Sequence, residues 1–497
     1  MTGKLYKSIL VAVAVVLLIG VSLIQRELTR ERQELGLTRY TELKGAPPVL
    51  ALTTVALGGF RGLVSNALWI RANELQENDK YFEMVQLADW ITKLEPHFTQ
   101  VWLVQAWNMA YNISVKFKEP ADRWRWVERG IELLRDDGLR YNPNDVLIHR
   151  ELAWFFQHKM GQNLDDAHVY YKQAWANEMN KVIGRGKINY DELMDPKTED
   201  AIRRSNLLKE KYKMDPELMK KCDELYGPLE WRLPEASAIY WAAEGLDRAK
   251  MNERQIKQDD LITLRRVIYQ SMQMSFQRGR LVQVALEKAD KVIDFAPNLE
   301  VVPKVSAAYE QAMIDDPKNK DHIETAHRNF LKDAVYFYYT YNREADAIKW
   351  YKYLVQKYPD KPLLDNAPES LPGTLNVEEY AIARIQDEIN SPGQAKAEAI
   401  LKGLETTALI ALASDEDDRF IGLERLAQKI LDKYYAKVGA SKDVRLYIPP
   451  LKEIRQEVLK TLLNGGLPDE LAAQLATKTG QPLPKPASAE TPPPRDK

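Results

Sequence analysis

From about residue 60 almost to its end, the chain places apolar side chains at intervals of three and four, the period of a helix that buries one face. The alternating Val, Ile and Thr runs between Asn-Gly turns that mark strands are missing. A helix with one apolar stripe must cover it against a neighbour, so a pattern held this long requires an array of helices packed on helices. The chain has 497 residues, too many for one compact core. Pro96, Pro143, Pro297 and Pro359 each close an apolar run, because Pro cannot continue a helix interior.

The runs between these prolines read as helix pairs. Ser65–Phe98 carries Leu68, Ala72 and Leu75, then Met84, Ala88 and Ile91 before Pro96. Arg266–Leu299 carries Tyr269, Met272, Gln273 and Phe276 on its first helix, and Ala285, Ala289 and Val292 on its second. Arg328–Lys361 carries Leu331, Ala334 and Tyr338, then Ala347, Tyr351 and Leu354. Two further units are irregular. One runs from Trp102 to Pro143 with a longer loop at 116–122. The other starts near Val146, with Leu152 and Ala153 on its first helix and Ala167, Tyr171 and Ala174 on its second.

This spacing of small and large residues with a closing Pro resembles the tetratricopeptide repeats, a family whose 34-residue unit is a helix, a turn and a helix. Small positions let the helices approach and large ones plug the grooves between them. Leu57-Gly-Gly-Phe-Arg-Gly-Leu63 with Leu68-Trp-Ile-Arg-Ala72 also resembles an uncharacterised bacterial family of membrane-anchored repeat proteins. The expected fold is all-α: a single amino-terminal transmembrane helix, an irregular tetratricopeptide-like α-solenoid and a carboxy-terminal helical module.

The anchor is read from Ile9–Ile24, sixteen uncharged residues that reach twenty when extended back to Leu5 past Lys7. That is about 30 Å as helix, close to the hydrocarbon thickness. No pair of small residues follows to suggest a cleaved leader, so the anchor is expected to stay. The short leading tail with Lys4 and Lys7 is expected inside. This gives a single-pass protein of the inner membrane with its body on the periplasmic side.

The expected organisation is an anchor over 1–30 and a juxtamembrane segment over 31–64. Repeats follow over 65–179 and 233–361, interrupted by a charged insertion over 180–232. A helical module over 375–478 precedes a Pro-rich tail over 479–497, read as disordered. Within the module, helices are expected over 377–389, 395–413, 419–437, 450–463 and 467–478.

Composition narrows the function. Lys plus Arg is 70 and Asp plus Glu 72, a net of -2, which gives no electrostatic case for nucleic acid. The single cysteine, Cys222, allows no intramolecular disulfide and reads as a buried thiol. Phosphate loops, GxGxxG, HExxH, Cys-x-x-Cys and G-x-S-x-G are all missing. His149, His158 and His168 are not at the spacing of helix metal ligands, and His322 and His327 fall on different faces of one helix. Arg123-Trp-Arg-Trp126 reads as core Trp flanked by exposed Arg. No catalytic residue, cofactor or metal site is expected.

What the resemblance implies is a groove. In that family the first helices line a concave face that takes an extended peptide or a partner helix. Carried onto this chain, the face consists of Asn73 and Gln76, Trp107 and Tyr111, then Arg150, Trp154 and His158. Gln270, Met274 and Arg278 follow, and finally Tyr336 and Tyr339. Rings give area, while Asn and Arg give hydrogen bonds. The expected function is a membrane-tethered scaffold that binds other proteins and assembles an envelope complex. An obligate subunit of an envelope or secretion complex, or a glycan- or lipid-binding envelope protein, is the alternative; an enzyme comes behind these.

Overall fold

The computed structural model describes residues 61–482, apart from 79, 185, 252–255, 284–293, 365–366, 369, 388–393, 439–446 and 468, together with scattered positions between Val13 and Glu31. It is predominantly helical, with 79% of residues in helix, and such a succession of packed helices is consistent with an α-solenoid.

The expected architecture is corrected at its amino end. Among the described residues no helix is long and apolar enough to cross a membrane, which overturns a fold built on a single transmembrane helix. The physical reason is length. The uncharged run is sixteen residues, about 24 Å as helix, and it reaches the twenty or so that a span needs only by taking in Lys7. Most of that run, the juxtamembrane residues 32–60 and the Pro-rich tail beyond Pro482 lie outside the described residues.

The described chain divides into two compact units, one of residues 1–118 and 125–148, the other of 119–124 and 149–497. In the first, α1 (Arg61–Glu77) packs on α2 (Tyr81–Leu94) through Ala72, Leu75 and Met84. Helix α3 (Thr99–Trp107) continues as a π-helical turn over Asn108–Ile113, and α4 (Pro120–Glu132) as another over Leu133–Gly138. The carbonyl of Pro96 accepts from Trp102 Nε1 at 2.9 Å and from Asn142 Nδ2 at 2.8 Å. One helix-breaking residue therefore pins the start of one helix and the end of the next.

Helix α5 (Val146–Trp154), which lies in the second unit from His149 on, continues as a π-helical turn over Phe155–Gly161. Helix α6 is His168–Ile183. The charged stretch that follows is folded. It forms α7 (Tyr190–Met194), α8 (Glu199–Asn206) and α9 (Pro216–Tyr226). Side chains of Asn189, Thr198 and Asp215 cap their amino ends, satisfying backbone donors left open there. Leu193, Leu208, Tyr212, Met219 and Trp231 are buried beneath them. Apolar residues too widely spaced to make a stripe in sequence still converge on one core.

Helix α10 (Pro234–Ala249) starts with Pro at its first turn, and every residue from Pro234 to Ala242 is buried. Helix α11 (Gln258–Arg278) packs along it. Beyond α11 the chain forms a two-stranded antiparallel pair, β1 (Arg280–Gln283) with β2 (Asp294–Ala296). The second helix expected between Ala285 and Val292 falls on undescribed residues, and extended backbone flanks it on both sides.

Helices α12 (Val302–Asp315), α13 (Lys320–Thr340) and α14 (Glu344–Lys357) pack in succession. The carboxy-terminal helices are α15 (Val377–Asp387), α16 (Gln394–Ala413), α17 (Asp417–Val438), α18 (Leu451–Thr461) and α19 (Asp469–Thr479). They belong to the same compact unit as α13. Tyr380 on α15 is fully buried and donates to Lys332 O at 3.1 Å, and Lys429 on α17 donates to Tyr339 OH at 3.2 Å.

Candidate functional site

Helix α5 and its π-helical continuation sort their residues by face. Leu152, Ala153, Phe155, Phe156 and Met160 are buried, while Arg150, Trp154 and His158, four apart, are half-buried along one line. Trp154 and His158 stack face to face with ring centroids 4.5 Å apart and planes at 12°. Burial and the neighbouring Lys159 push the His158 imidazole below its ordinary pKa, favouring the neutral ring.

Helix α11 lies beside this line, and the hydrogen bonds fix its direction. Arg150 Nη1 donates to Asp260 Oδ1 at 2.6 Å. Gln157 Nε2 donates to Val267 O at 3.3 Å and to Gln270 Oε1 at 3.2 Å. Arg278 donates to Gly161 O and, at 2.8 Å, to Asn163 Oδ1. The sequence offset is 110 residues for Arg150–Asp260 and Gln157–Val267 and 117 for Gly161–Arg278. A nearly constant offset means that the two helices run parallel, side by side. Arg150, Trp154, His158, Gln270 and Arg278 thus share one neighbourhood, although the folded stretch α7–α9 separates them in the chain. Met274 is buried, with its methyl group close to Gly161.

The remaining expected residues fall elsewhere. Asn73 and Gln76 are exposed on α1. Trp107 and Tyr111, in the first unit, stack with centroids 4.0 Å apart, and Trp107 is 40% exposed. Tyr336 and Tyr339 on α13 are covered by the carboxy-terminal helices. Arg384 lies over the Tyr336 ring at 5.3 Å, and Arg425 over the Tyr339 ring at 5.0 Å. Tyr339 is fully buried. Its side chain therefore serves the packing of α13 on α17 and offers nothing to a partner.

Sequence reasoning missed a buried ionic network next to the shared face. Asp165 Oδ1 accepts from Arg123 Nη2 and Asp165 Oδ2 from Lys159 Nζ, both at 2.6 Å, and Asp166 accepts from Arg123 Nη1 at the same distance. Burial raises the Asp165 carboxyl, but the bonds from Lys159 and from Ala167 N outweigh it and hold the group below its ordinary value. Arg123 is buried, not exposed as its Trp-interleaved sequence suggested. Only Arg125 of that motif stands in solvent, and Trp126 packs edge-on against Phe82 at 5.6 Å.

Close by, Lys172 is 2% exposed and bonds to Asn163 Oδ1 at 3.2 Å and His168 Nδ1 at 2.8 Å. Glu235 is the carboxylate that acts on its amine, favouring the charged form. Burial, then Arg278, push the Lys172 pKa down to about 8. His168 is held low by burial and by Lys172, so its neutral ring can accept a hydrogen bond from the Lys172 amine. No local pattern announced these partners, because a polar residue facing inward from a loop looks the same in sequence as one facing water.

Two further titratable groups, Cys222 and His327, are packing residues. Cys222 is buried, and burial raises its thiol to about 12, which leaves it protonated and unreactive. His327 is fully buried between Ser306 Oγ and Tyr358 OH, at 2.9 and 2.8 Å, while His322 on the same helix is exposed. Among the described residues no group of three or more His, Cys, Asp or Glu is placed to hold a metal ion. No family model matches the chain, and no curated protein or solved structure matches it.

Proposed function

We propose that this chain is a protein-binding scaffold that holds a peptide or a partner protein along the face shared by α5 and α11, and that it serves in the assembly of an envelope complex. The observation that supports this reading is the parallel placement of two amphipathic helices distant in sequence. They present Arg150, the stacked Trp154 and His158, Gln270 and Arg278 together, half-buried and shaped by a fixed hydrogen-bond ladder. Rigid rings and held guanidinium groups bind extended chains with little loss of side-chain entropy. Side-by-side first helices are also the arrangement that the tetratricopeptide resemblance implies, and membership of such a family is part of the proposal.

The stacked Trp107 and Tyr111 on the first unit form a second candidate patch of the same chemistry. A place in the cell envelope belongs to this reading as well; it is tested by fractionation and by protease protection of the body in spheroplasts.

Affinity capture with mass spectrometry tests the binding reading. The full-length protein is compared with a Trp107→Ala, Arg150→Ala, Trp154→Ala variant whose thermal melt confirms folding. A small set of proteins recovered with wild type and lost with the variant supports the face. Equal recovery from both sinks it. The rival reading, an obligate subunit stable only among fixed neighbours, is separated by deleting residues 1–44. A scaffold remains a stable soluble fragment, whereas an obligate subunit does not.

A further inference from the structure

A pocket of about 580 Å³ opens between α9, α10 and the start of α11, away from the α5–α11 face. Each helix contributes a stripe at helical spacing. Leu218 and Leu225 come from α9, Leu246 from α10 and Leu261 from α11, with the buried Cys222 below them. Leu225 is 53% exposed, so among the described residues it adds apolar surface at the mouth.

The rim is cationic. Lys221, Lys250 and Arg265 line the pocket against a single carboxylate, Asp247. Asp247 accepts from both lysines, at 3.2 Å from Lys221 and 2.6 Å from Lys250. Arg265 has its nearest carboxylate, Asp315, at 3.6 Å, beyond good hydrogen-bond distance. Its fork therefore has donors to spare for a planar anion.

We infer that this pocket binds a single-chain anionic amphiphile, a free fatty-acid carboxylate, with the alkyl chain between α9 and α10 and the carboxylate on Arg265. An extended alkyl chain fits, and the volume lies in the range of small-ligand sites, about 300–1,000 Å³. The excess of cations over carboxylates on the rim selects an anion over a neutral or cationic head.

The test is calorimetric titration of the full-length protein with decanoate, dodecanoate and tetradecanoate, each below its micellar concentration. Affinity is expected to rise about fourfold for each methylene that enters the apolar walls. Arg265→Gln is expected to weaken dodecanoate binding at least fivefold with an unchanged thermal melt. Leu246→Trp, which fills the cavity, is expected to abolish it. Because Leu246→Trp could unfold the chain, the half-exposed Arg265 carries the decision.

Dodecanol binding as tightly as dodecanoate would overturn the inference, as would affinity independent of chain length or indifferent to Arg265→Gln. So would an absence of binding to any of the acids. Phosphatidylglycerol vesicles that bind through Arg265 when free acids do not would reassign the rim to a membrane surface. An acidic helical peptide that competes with none of the acids yet depends on Arg265 would reassign it to a protein.

Discussion

Arg150 donates to Asp260 at 2.6 Å although 110 residues of chain separate them. Both groups are partly buried, and their bond sets the level at which α5 meets α11. A double-mutant cycle of Arg150→Ala and Asp260→Ala is expected to give a coupling of about 1 kcal/mol, near the upper end for a partly solvated pair. Chemical denaturation measures it. Additive single effects would mean that the register rests on Gln157 and Arg278 alone.

Asp165 is the shared acceptor of Arg123 and Lys159, and the side chains of all three are at most 10% exposed. Removing it leaves two buried cations without that partner. Asp165→Ala is expected to destabilise the second unit by about 3–5 kcal/mol, far more than the same change at an exposed carboxylate such as Asp200. Urea titration followed by Trp fluorescence reads the difference. A loss below 1 kcal/mol at Asp165 would show that water replaces the carboxylate.

Glu151 is a carboxyl pushed up by burial to about 7, with Arg150 opposing. A folded pKa above the unfolded value of about 4.3 means that the native state holds the proton more tightly. The carboxyl therefore costs nothing below pH 4, and its cost grows through the window from about 4.3 to 7 and is complete above it. Glu151→Gln is expected to leave stability unchanged at pH 4 and to raise it by about 1–3 kcal/mol at pH 8. Melting curves across pH check both limits, and an equal effect at the two ends would remove titration as the cause.

His327 works in the opposite direction. Burial lowers its pKa to about 4, so the unfolded chain takes up a proton that the folded chain refuses. Stability is full above the unfolded value of about 6.5 and falls as pH drops from there towards 4. His327→Gln is expected to flatten that acid limb, at the cost of the packing against Tyr309 and Tyr358. Stability measured at intervals from pH 4 to 7 decides it; an unflattened limb would place the titration elsewhere.

Gly422 on α17 sits against the end of α13. A Cβ there would come within 2.7 Å of Thr340 C and 2.8 Å of Asn342 N, both backbone atoms. Neither can move without shifting the helix. Gly422→Ala is expected to destabilise by about 1–3 kcal/mol, with a lower Tm. An unchanged Tm would show that the crossing of α17 over α13 is loosely held.

Much of the helical content was legible from the chain alone, because a 3.6-residue apolar period and helix-breaking prolines act locally. The carboxy-terminal helix α16 begins and ends within a residue of the span that the pattern marks out. The limits of local reasoning show in particular residues. Arg123 was expected in solvent and is buried on Asp165. Tyr339 was expected in a groove and is sealed under α17. Helical phase tells which residues share a face, but not which faces meet another helix.

The sequence by itself determined that this chain is largely helical, where the carboxy-terminal helices begin and end, and which residues line up along a given helix. Only the tertiary structure decided which helices become neighbours. It set α11 parallel to α5 across more than a hundred residues, folded the charged stretch between them onto a core of its own, and covered α13 with the carboxy-terminal helices. Helix formation follows from contacts three and four residues away, whereas the choice of neighbours follows from the summed fit of many distant side chains, and no short window of sequence contains that sum.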